Sequence, residues 1–211
     1  MPLPEFLIDK YKDWKKNTFS NNKNLYKNLA DNGQNPKVMI ISCCDSRVEA
    51  NSIFNSIPGD LFIHRNISNL VPEHNTNNSE IISSIEYAIT VLQIRQIIIL
   101  GHSDCGGINY AYNKFSGKII SKKKSHLDNW IQSINPAYEK IKKIKPELNC
   151  IKSLEKESIV NSITNLKNYK KVKKLISENK IQIHGLFFEI GSGNLLEYND
   201  SNNVFEIVDY R

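Results

Sequence analysis

Two short stretches of this chain bring together side chains that can hold a metal ion and move a proton. They are Cys43-Cys44-Asp45-Ser46-Arg47 and, further on, Gly101-His102-Ser103-Asp104-Cys105-Gly106-Gly107. Each follows an aliphatic run, Val38-Met39-Ile40-Ile41 in the first case and Ile97-Ile98-Ile99-Leu100 in the second. Runs of this kind read as strands apolar on both faces, the habit of parallel sheets. The thiols and the imidazole then lie just past the carboxyl ends of two strands, where open α/β sheets build their sites. Two cysteines and a histidine can hold Zn2+ in three positions and leave the fourth to water. With an acid and an arginine beside the first thiol, the chemistry these groups suit is hydration or hydrolysis.

A His-x-x-Cys pair is common in cores and says little alone. A further cysteine at the end of another buried strand, in a chain with no secretory signal, makes metal binding the better reading. Neighbouring side chains alternate along extended backbone, so Cys43 and Cys44 cannot both enter one cleft. Cys43 shares a side with Asp45, and Cys44 is expected to be a small core residue. Cys150 is read as structural, as are His64 and His184 within strand patterns; His74 and His126 fall in polar stretches. Asp45 and Arg47 could simply secure a turn, but beside a metal a bidentate pair keeps the carboxylate ionised and aimed.

The elements that must position these groups follow from periodicity. Phe6, Leu7, Tyr11 and Trp14 mark a helix over 4–17, and a second spans about 22–31, ending near Gly33. Strands are expected at 37–42, 61–65, 96–100 and 181–190, with Pro58-Gly59-Asp60 as a turn. Asn78-Ser79 caps a helix carrying Ile81, Ile82, Ile85, Tyr87, Ala88 and Leu92. Cys105-Gly106-Gly107 opens another. Lysine-rich helices fill 121–178, interrupted by Pro136 and Pro146, and 195–198 after Gly191-Ser192-Gly193 closes the chain as an antiparallel strand. Alternating strands and helices imply a parallel α/β sheet with right-handed crossovers. There is no internal repeat and no domain boundary: 1–211 reads as one domain, a helical arm over 1–33 and an α/β core over 34–211.

A chain of 211 residues is ample for one core. No apolar stretch approaches the roughly 20 residues of a membrane span, and the opening Met1-Pro2-Leu3-Pro4 lacks the basic and apolar segments of a signal peptide. Four cysteines in that setting imply a reducing compartment, and the cytoplasm is the expected location. The net charge of +6 is uneven: residues 114–180 hold 17 Lys, no Arg and 6 acids. A basic block invites a nucleic-acid reading. The lysines interleave with Ile141, Ile144, Leu148 and Ile151 at helical spacing, however, and Arg, the preferred base reader, is missing there. Solvated helix faces are expected, with neither nucleic acid nor membrane as partner.

Over nearly its full length the chain resembles the β-class carbonic anhydrases. The resemblance rests on Cys-x-Asp-Ser-Arg followed by His-x-x-Cys, supported by Pro58-Gly59-Asp60-Leu61-Phe62, Arg65-Asn66-Ile67-Ser68-Asn69-Leu70-Val71-Pro72, Ser84-Ile85-Glu86-Tyr87-Ala88 and His184-Gly185. It implies four parallel strands with an added antiparallel edge strand, flanked by helices. It also implies an intimate homodimer, with the N-terminal arm lying on the partner, and in many members a tetramer. One zinc per chain would be held by Cys43, His102 and Cys105, with Asp45 and Arg47 as the catalytic dyad. Gln34, Phe62, Ile67, Tyr87 and Gly106 would be the substrate-binding residues, some of them contributed across the dimer interface. One group of members keeps Gln nine residues before the first Cys ligand and has an open zinc site; the other has Trp three residues before that Cys and lets the Asp ligate. Gln34 and Ile40 place this chain with the open group. Val91 stands where some members carry a proton-transferring histidine.

The activity implied is reversible hydration of carbon dioxide to bicarbonate and a proton. Zinc would make hydroxide available near neutral pH, Asp45 would orient it, and Gln34 would donate to the oxygen that gains charge. Two thiolates neutralise Zn2+ where three histidines do not, so activity should rise toward alkaline pH. Hydrolysis of another small linear electrophile, carbon disulfide or carbonyl sulfide, would use the same site. A non-enzymatic reading, structural zinc beside a lysine-rich binding surface, leaves Asp45, Arg47 and Gln34 without a use.

Overall fold

The computed structural model describes residues 2–73, 79–120, 125–144 and 150–208. The two aliphatic runs that precede the motifs become adjacent central strands. β1 (Val38–Cys43) pairs in parallel with β2 (Leu61–Asn66) on one side and β3 (Gln96–His102) on the other. β4 (Gln182–Phe188) continues in parallel beside β3. β5 (Leu195–Asn199) runs antiparallel to β4, giving the expected four parallel strands and their antiparallel neighbour. The expected strand count is corrected by one: β6 (Val204–Ile207) folds back on β5 and is the true edge, so the sheet order is β2-β1-β3-β4-β5-β6. Its four residues are too few for an alternation pattern to register, and the preceding turn needs Asn203 at φ 58°.

The chain leaves β1 for β2 on one side, then returns past β1 to place β3 on the other. The carboxyl ends of β1 and β3 therefore form the topological switch point of the sheet. Alternation splits the core. Met39, Ile41, Ile97 and Ile99 face α4 (Ser79–Thr90), α8 (Ile151–Lys167) and α9 (Lys170–Ser177). Ile40, Leu100 and Leu186 face the other way, toward Val48 and Ala50, which begins α3 (Ala50–Ile53). A third cluster joins Cys43, Cys105 and Leu70 to α5 (Gly106–Phe115) and α7 (Asn135–Ile144). The short α6 (His126–Trp130) carries a capping box at Ser125, whose hydroxyl accepts from the Asp128 N–H. Asn78, His74, Leu148 and Pro146 lie outside the described residues. Pro136 does not interrupt a helix but sits in the first turn of α7, where its missing N–H costs nothing.

In the described parts of the lysine-rich segment, α7 and α9 are amphipathic helices, as expected. α9 buries Val172 and exposes Lys170, Lys171, Lys173 and Lys174. Ion pairs such as Lys140–Glu157 and Lys167–Asp200, both 2.5 Å, lie along these faces. The apolar spacing is corrected at one place: Ile141 is buried, but Ile144, the last residue of α7, is 67% exposed. At the other end of the chain, α1 (Glu5–Trp14) and α2 (Lys23–Asn32) bury no residue at all, and Phe6, Leu7, Tyr11 and Trp14 are exposed.

α8 lies unusually close to the sheet, over two glycines. A Cβ on Gly101 would stand 2.6 Å from Ile159 Cδ1; one on Gly185 would stand 2.7 Å from Ile163 Cδ1 and 3.3 Å from Tyr198 Cβ. Gly185→Ala must therefore push α8 outward or displace two isoleucines. It is expected to destabilise the fold by about 1–3 kcal/mol, the usual cost of overpacking, read as a lowered denaturant midpoint.

Candidate metal centre

Cys43 is the last residue of β1, His102 the last of β3, and Cys105 the N-cap of α5. All three are buried, and their ligand atoms lie within 4.8 Å of one another. Adjacent parallel strands bring Cys43 and His102 together, and the bend through Ser103 and Asp104 (φ 57°) swings Cys105 back over them. A tetrahedral zinc with sulfur bonds of about 2.3 Å separates two sulfurs by about 3.8 Å. Cys43 Sγ and Cys105 Sγ are 4.0 Å apart.

The histidine is prepared for a ligand's role. Its Nδ1 lies 2.9 Å from the Ser103 carbonyl, which can only accept, so Nδ1 carries the proton. Nε2 is left bare, buried and without a hydrogen bond. A buried nitrogen lone pair beside two sulfurs fits zinc well and fits an apolar core poorly. The donor set, two thiolates and an imidazole, is one that zinc favours.

The sulfurs are unequal. Cys43 is pushed up to about 12, first by its hydrogen bond with Cys105 and then by burial. Cys105 is pulled down to about 7 by that same bond, against burial, with help from the N–H groups of Ile108 and Gly107 and from Ser68. In the metal-free protein the pair therefore shares a proton, and its two thiols do not ionise together.

Beside the sulfurs, Arg47 clasps Asp45 in bidentate fashion, Nε to Oδ1 at 2.9 Å and Nη2 to Oδ2 at 2.7 Å. The Arg47 main-chain N–H also donates to Oδ1. These donors hold the Asp45 carboxyl well below the usual carboxylate range, so it stays ionised at any working pH. Arg47 reaches on to the Asp104 carbonyl at 3.0 Å, tying the first motif to the second. Asp45 does not join the metal-ligand cluster among the described residues.

Several supports had no role assigned from the sequence. Arg65 donates to the carbonyls of Asp45 and Val48 and pairs with Glu49, which braces the turn holding the dyad. The Asn66 side chain closes the 66–70 loop on both polar atoms of Leu70. Glu155 of α8, buried, accepts the Cys105 N–H at 3.0 Å. None of the three carries a spacing that would single it out. The expectation that Cys44 belongs to the core is corrected: it is exposed. Alternation turned it away from the cleft, but β1 has ended at Cys43 and the described residues leave that side open. Cys150 is buried, His64 bonds Ser84, and His184 bonds Glu197 and Gln96, as structural roles require.

The expected substrate-binding residues fall into two places. Gly106, with open space where a Cβ would be, and Ile67, 40% exposed, lie beside the ligands. Phe62 pairs with Met39, four residues before Cys43 and so roughly 13 Å down the strand. Tyr87 stacks on Phe62 at 5.9 Å, and Gln34 lines a groove with Val91–Arg95 at the same amino-terminal end of the sheet. Within one chain, these three residues and the ligands occupy opposite ends of the strands.

A family model described as Carbonic anhydrase matches residues 38–195. The chain is 36% identical over 188 residues to β carbonic anhydrase 3 of Arabidopsis thaliana, covering 85% of this chain and 70% of that protein. The solved structure of the β-carbonic anhydrase CcaA superposes with a TM-score of 0.91 at 28% identity, over 98% of this chain and 92% of that one. Tetrameric β-carbonic anhydrases from Sordaria macrospora superpose at 0.77, also at 28% identity, over 92% and 95%.

One metal ion per chain is expected by elemental analysis, lost on Cys43→Ala, His102→Ala or Cys105→Ala and retained on Cys44→Ala. Both thiols must lose their protons to bind it, and Cys43 gives up its proton only well above neutrality. Metal uptake should thus release protons into a weakly buffered solution, and retention against a chelator should fall as pH falls.

Proposed function

The chain belongs to the β-class carbonic anhydrases, and from that membership we propose how its own residues carry out reversible carbon dioxide hydration. The observation that carries the reading is the bidentate Asp45–Arg47 clasp set beside the buried Cys43, His102 and Cys105. Zinc, when held by these three residues, supplies the Lewis acidity that makes hydroxide available near neutral pH. Asp45, fixed in an ionised state by Arg47, accepts the hydrogen of the attacking oxygen and turns its lone pair toward the carbon. Orientation of this kind is a large share of such a rate gain. Since Asp45 is engaged by Arg47, the site is of the open kind, and bicarbonate acts as product without cooperative inhibition.

Carbon dioxide is apolar and enters a dry pocket without needing hydrogen bonds. Ile67 and Gly106 border that pocket from the same chain, and Phe62, Tyr87 and Gln34 complete it from a second copy. Support comes from their place at the far end of the strands and from the exposed Phe6, Leu7, Tyr11 and Trp14 on a helical arm with no fully buried residue in α1 or α2. The unit is then a homodimer at least, with the arm over 1–33 on the partner and one α/β domain over 34–211; the Sordaria structures are tetramers. Gln34 donates an N–H to the substrate oxygen as charge develops on it. Cys43, Cys44 and Cys105 carry free thiols, which supports a reducing compartment such as the cytoplasm, and no helix among the described residues is long and apolar enough to cross a membrane. The relatives described above are named for carbonic anhydrase, which leaves the carbon disulfide and carbonyl sulfide alternative without an observation in its favour.

Stopped-flow hydration by zinc-loaded protein tests the reading directly. Asp45→Asn should keep zinc and lose roughly two to four powers of ten in turnover, as for one oriented catalytic group, and Arg47→Ala should do similar harm by freeing Asp45. Near-normal rates in both would remove the orienting role.

Contribution across an interface has its own test. Cys43→Ala and Gln34→Ala chains, each weakly active alone, should regain activity when refolded together. In a mixed dimer the Gln34→Ala chain keeps its ligands and receives Gln34 from its partner. Failure of mixed dimers to recover would place Gln34 outside the partner's site.

A further inference from the structure

We propose that Ser68 is a positioning residue that polarises both sulfur ligands at once and so limits the charge they donate to the metal. The inference rests on the reading of Cys43 and Cys105 as zinc ligands. Ser68 is fully buried and held in the left-handed region at φ 66°, ψ 22°. Its main-chain N–H donates to Cys43 Sγ at 3.4 Å, and its hydroxyl oxygen lies 3.7 Å from Cys105 Sγ. A neutral thiol could donate to that oxygen. A thiolate bound to a metal can only accept, so in the loaded site the hydroxyl proton must point at sulfur.

The surroundings maintain this placement. Asn66 closes the loop on Leu70, and the Trp130 indole N–H donates to the Ile67 carbonyl at 2.8 Å. Across the gap, a Cβ on Gly107 would stand 2.2 Å from Ser68 Oγ and 2.7 Å from Ile67 Cγ2. Only glycine at 107 leaves room for the hydroxyl. A non-glycine residue bears a steric cost in left-handed conformation, and the same loop could be built more cheaply with glycine at 68. What serine adds is the donor at the end of its side chain. Hydrogen bonds from neighbouring groups are a general means by which proteins tune a metal through its ligands.

Cobalt(II) substitution makes the sulfur donation visible, because sulfur-to-cobalt charge transfer absorbs in the near ultraviolet. Ser68→Ala and Ser68→Gly both delete the hydroxyl while keeping the N–H to Cys43, and glycine suits the backbone conformation. Each should bind one cobalt per chain and move the charge-transfer band to longer wavelength, since the sulfur lone pair is less stabilised. Gly107→Ala, which crowds the hydroxyl away, should move it the same way. The zinc forms of the Ser68 variants should lose several-fold in hydration rate near pH 7. An unmoved band in both Ser68 variants would overturn the proposal. Loss of the metal or of the fold by both would overturn it too, since Ser68 would then be a structural brace. Absence of any sulfur-to-cobalt band in the unaltered protein would defeat the ligand reading itself and this proposal with it.

Discussion

Two sulfur ligands that must become anions lie 4.0 Å apart inside the protein, at 4% and 1% exposure, and the local architecture is a response to that. Buried like charges repel and are denied water, so the metal-free pair resolves the conflict by sharing a proton between its sulfurs. The fold then supplies partial positive charge from several directions. The first N–H groups of α5 point at Cys105, Ser68 faces both sulfurs, and Arg47 lies just beyond with its own carboxylate already matched. Zinc completes what these groups begin. A parallel sheet with a switch point between β1 and β3 is the simplest scaffold that delivers a strand end and a helix start to one place.

One helix ties these parts together. α8 presses on the sheet through Gly101 and Gly185, so its distance from β3 and β4 is set by the absence of two side chains. The same helix reaches outward with polar groups: Ser162 Oγ accepts the Val71 N–H, Asn165 donates to the Val71 carbonyl, and Glu155 accepts the Cys105 N–H. The loop that carries Ser68 and the turn that carries Cys105 are thereby referenced to a single rigid element. Glu155 bears a cost for this. Its second oxygen is buried without a partner, and burial raises its carboxyl above the ordinary range.

The ligand triad was legible because its signals are local: an aliphatic run, then a thiol or imidazole, with side chains alternating along the strand. The same alternation misled at Cys44. It shows which side of the strand a residue takes but not what covers that side, and among the described residues Cys44 is left exposed. Gln34, Phe62 and Tyr87 were identified by resemblance, yet their distance from the ligands depends on strand register, which residue spacing does not reveal. Ser68, Glu155, Arg65 and Trp130 were silent for a different reason. Each acts through hydrogen bonds to residues remote in sequence, and a single serine or glutamate has no pattern. β6 was missed because four residues behind an asparagine turn make too short a run to show a period.

The electronic balance of the site follows from these parts. Two thiolates cancel the formal charge of Zn2+, which weakens it as an electrophile compared with a site of neutral ligands. Every donor aimed at sulfur restores part of that charge, because a lone pair engaged by N–H or O–H is less available to the metal. Asp45 would undo the gain if it reached the metal, adding a third anion and closing the open position. Arg47 prevents this by engaging both carboxylate oxygens at 2.9 and 2.7 Å, and it anchors itself on the Asp104 carbonyl from the second motif. The arginine therefore has two effects through one clasp. It keeps the carboxylate charged and aimed, as the proposed orienting role requires, and it keeps that charge apart from the three candidate ligands.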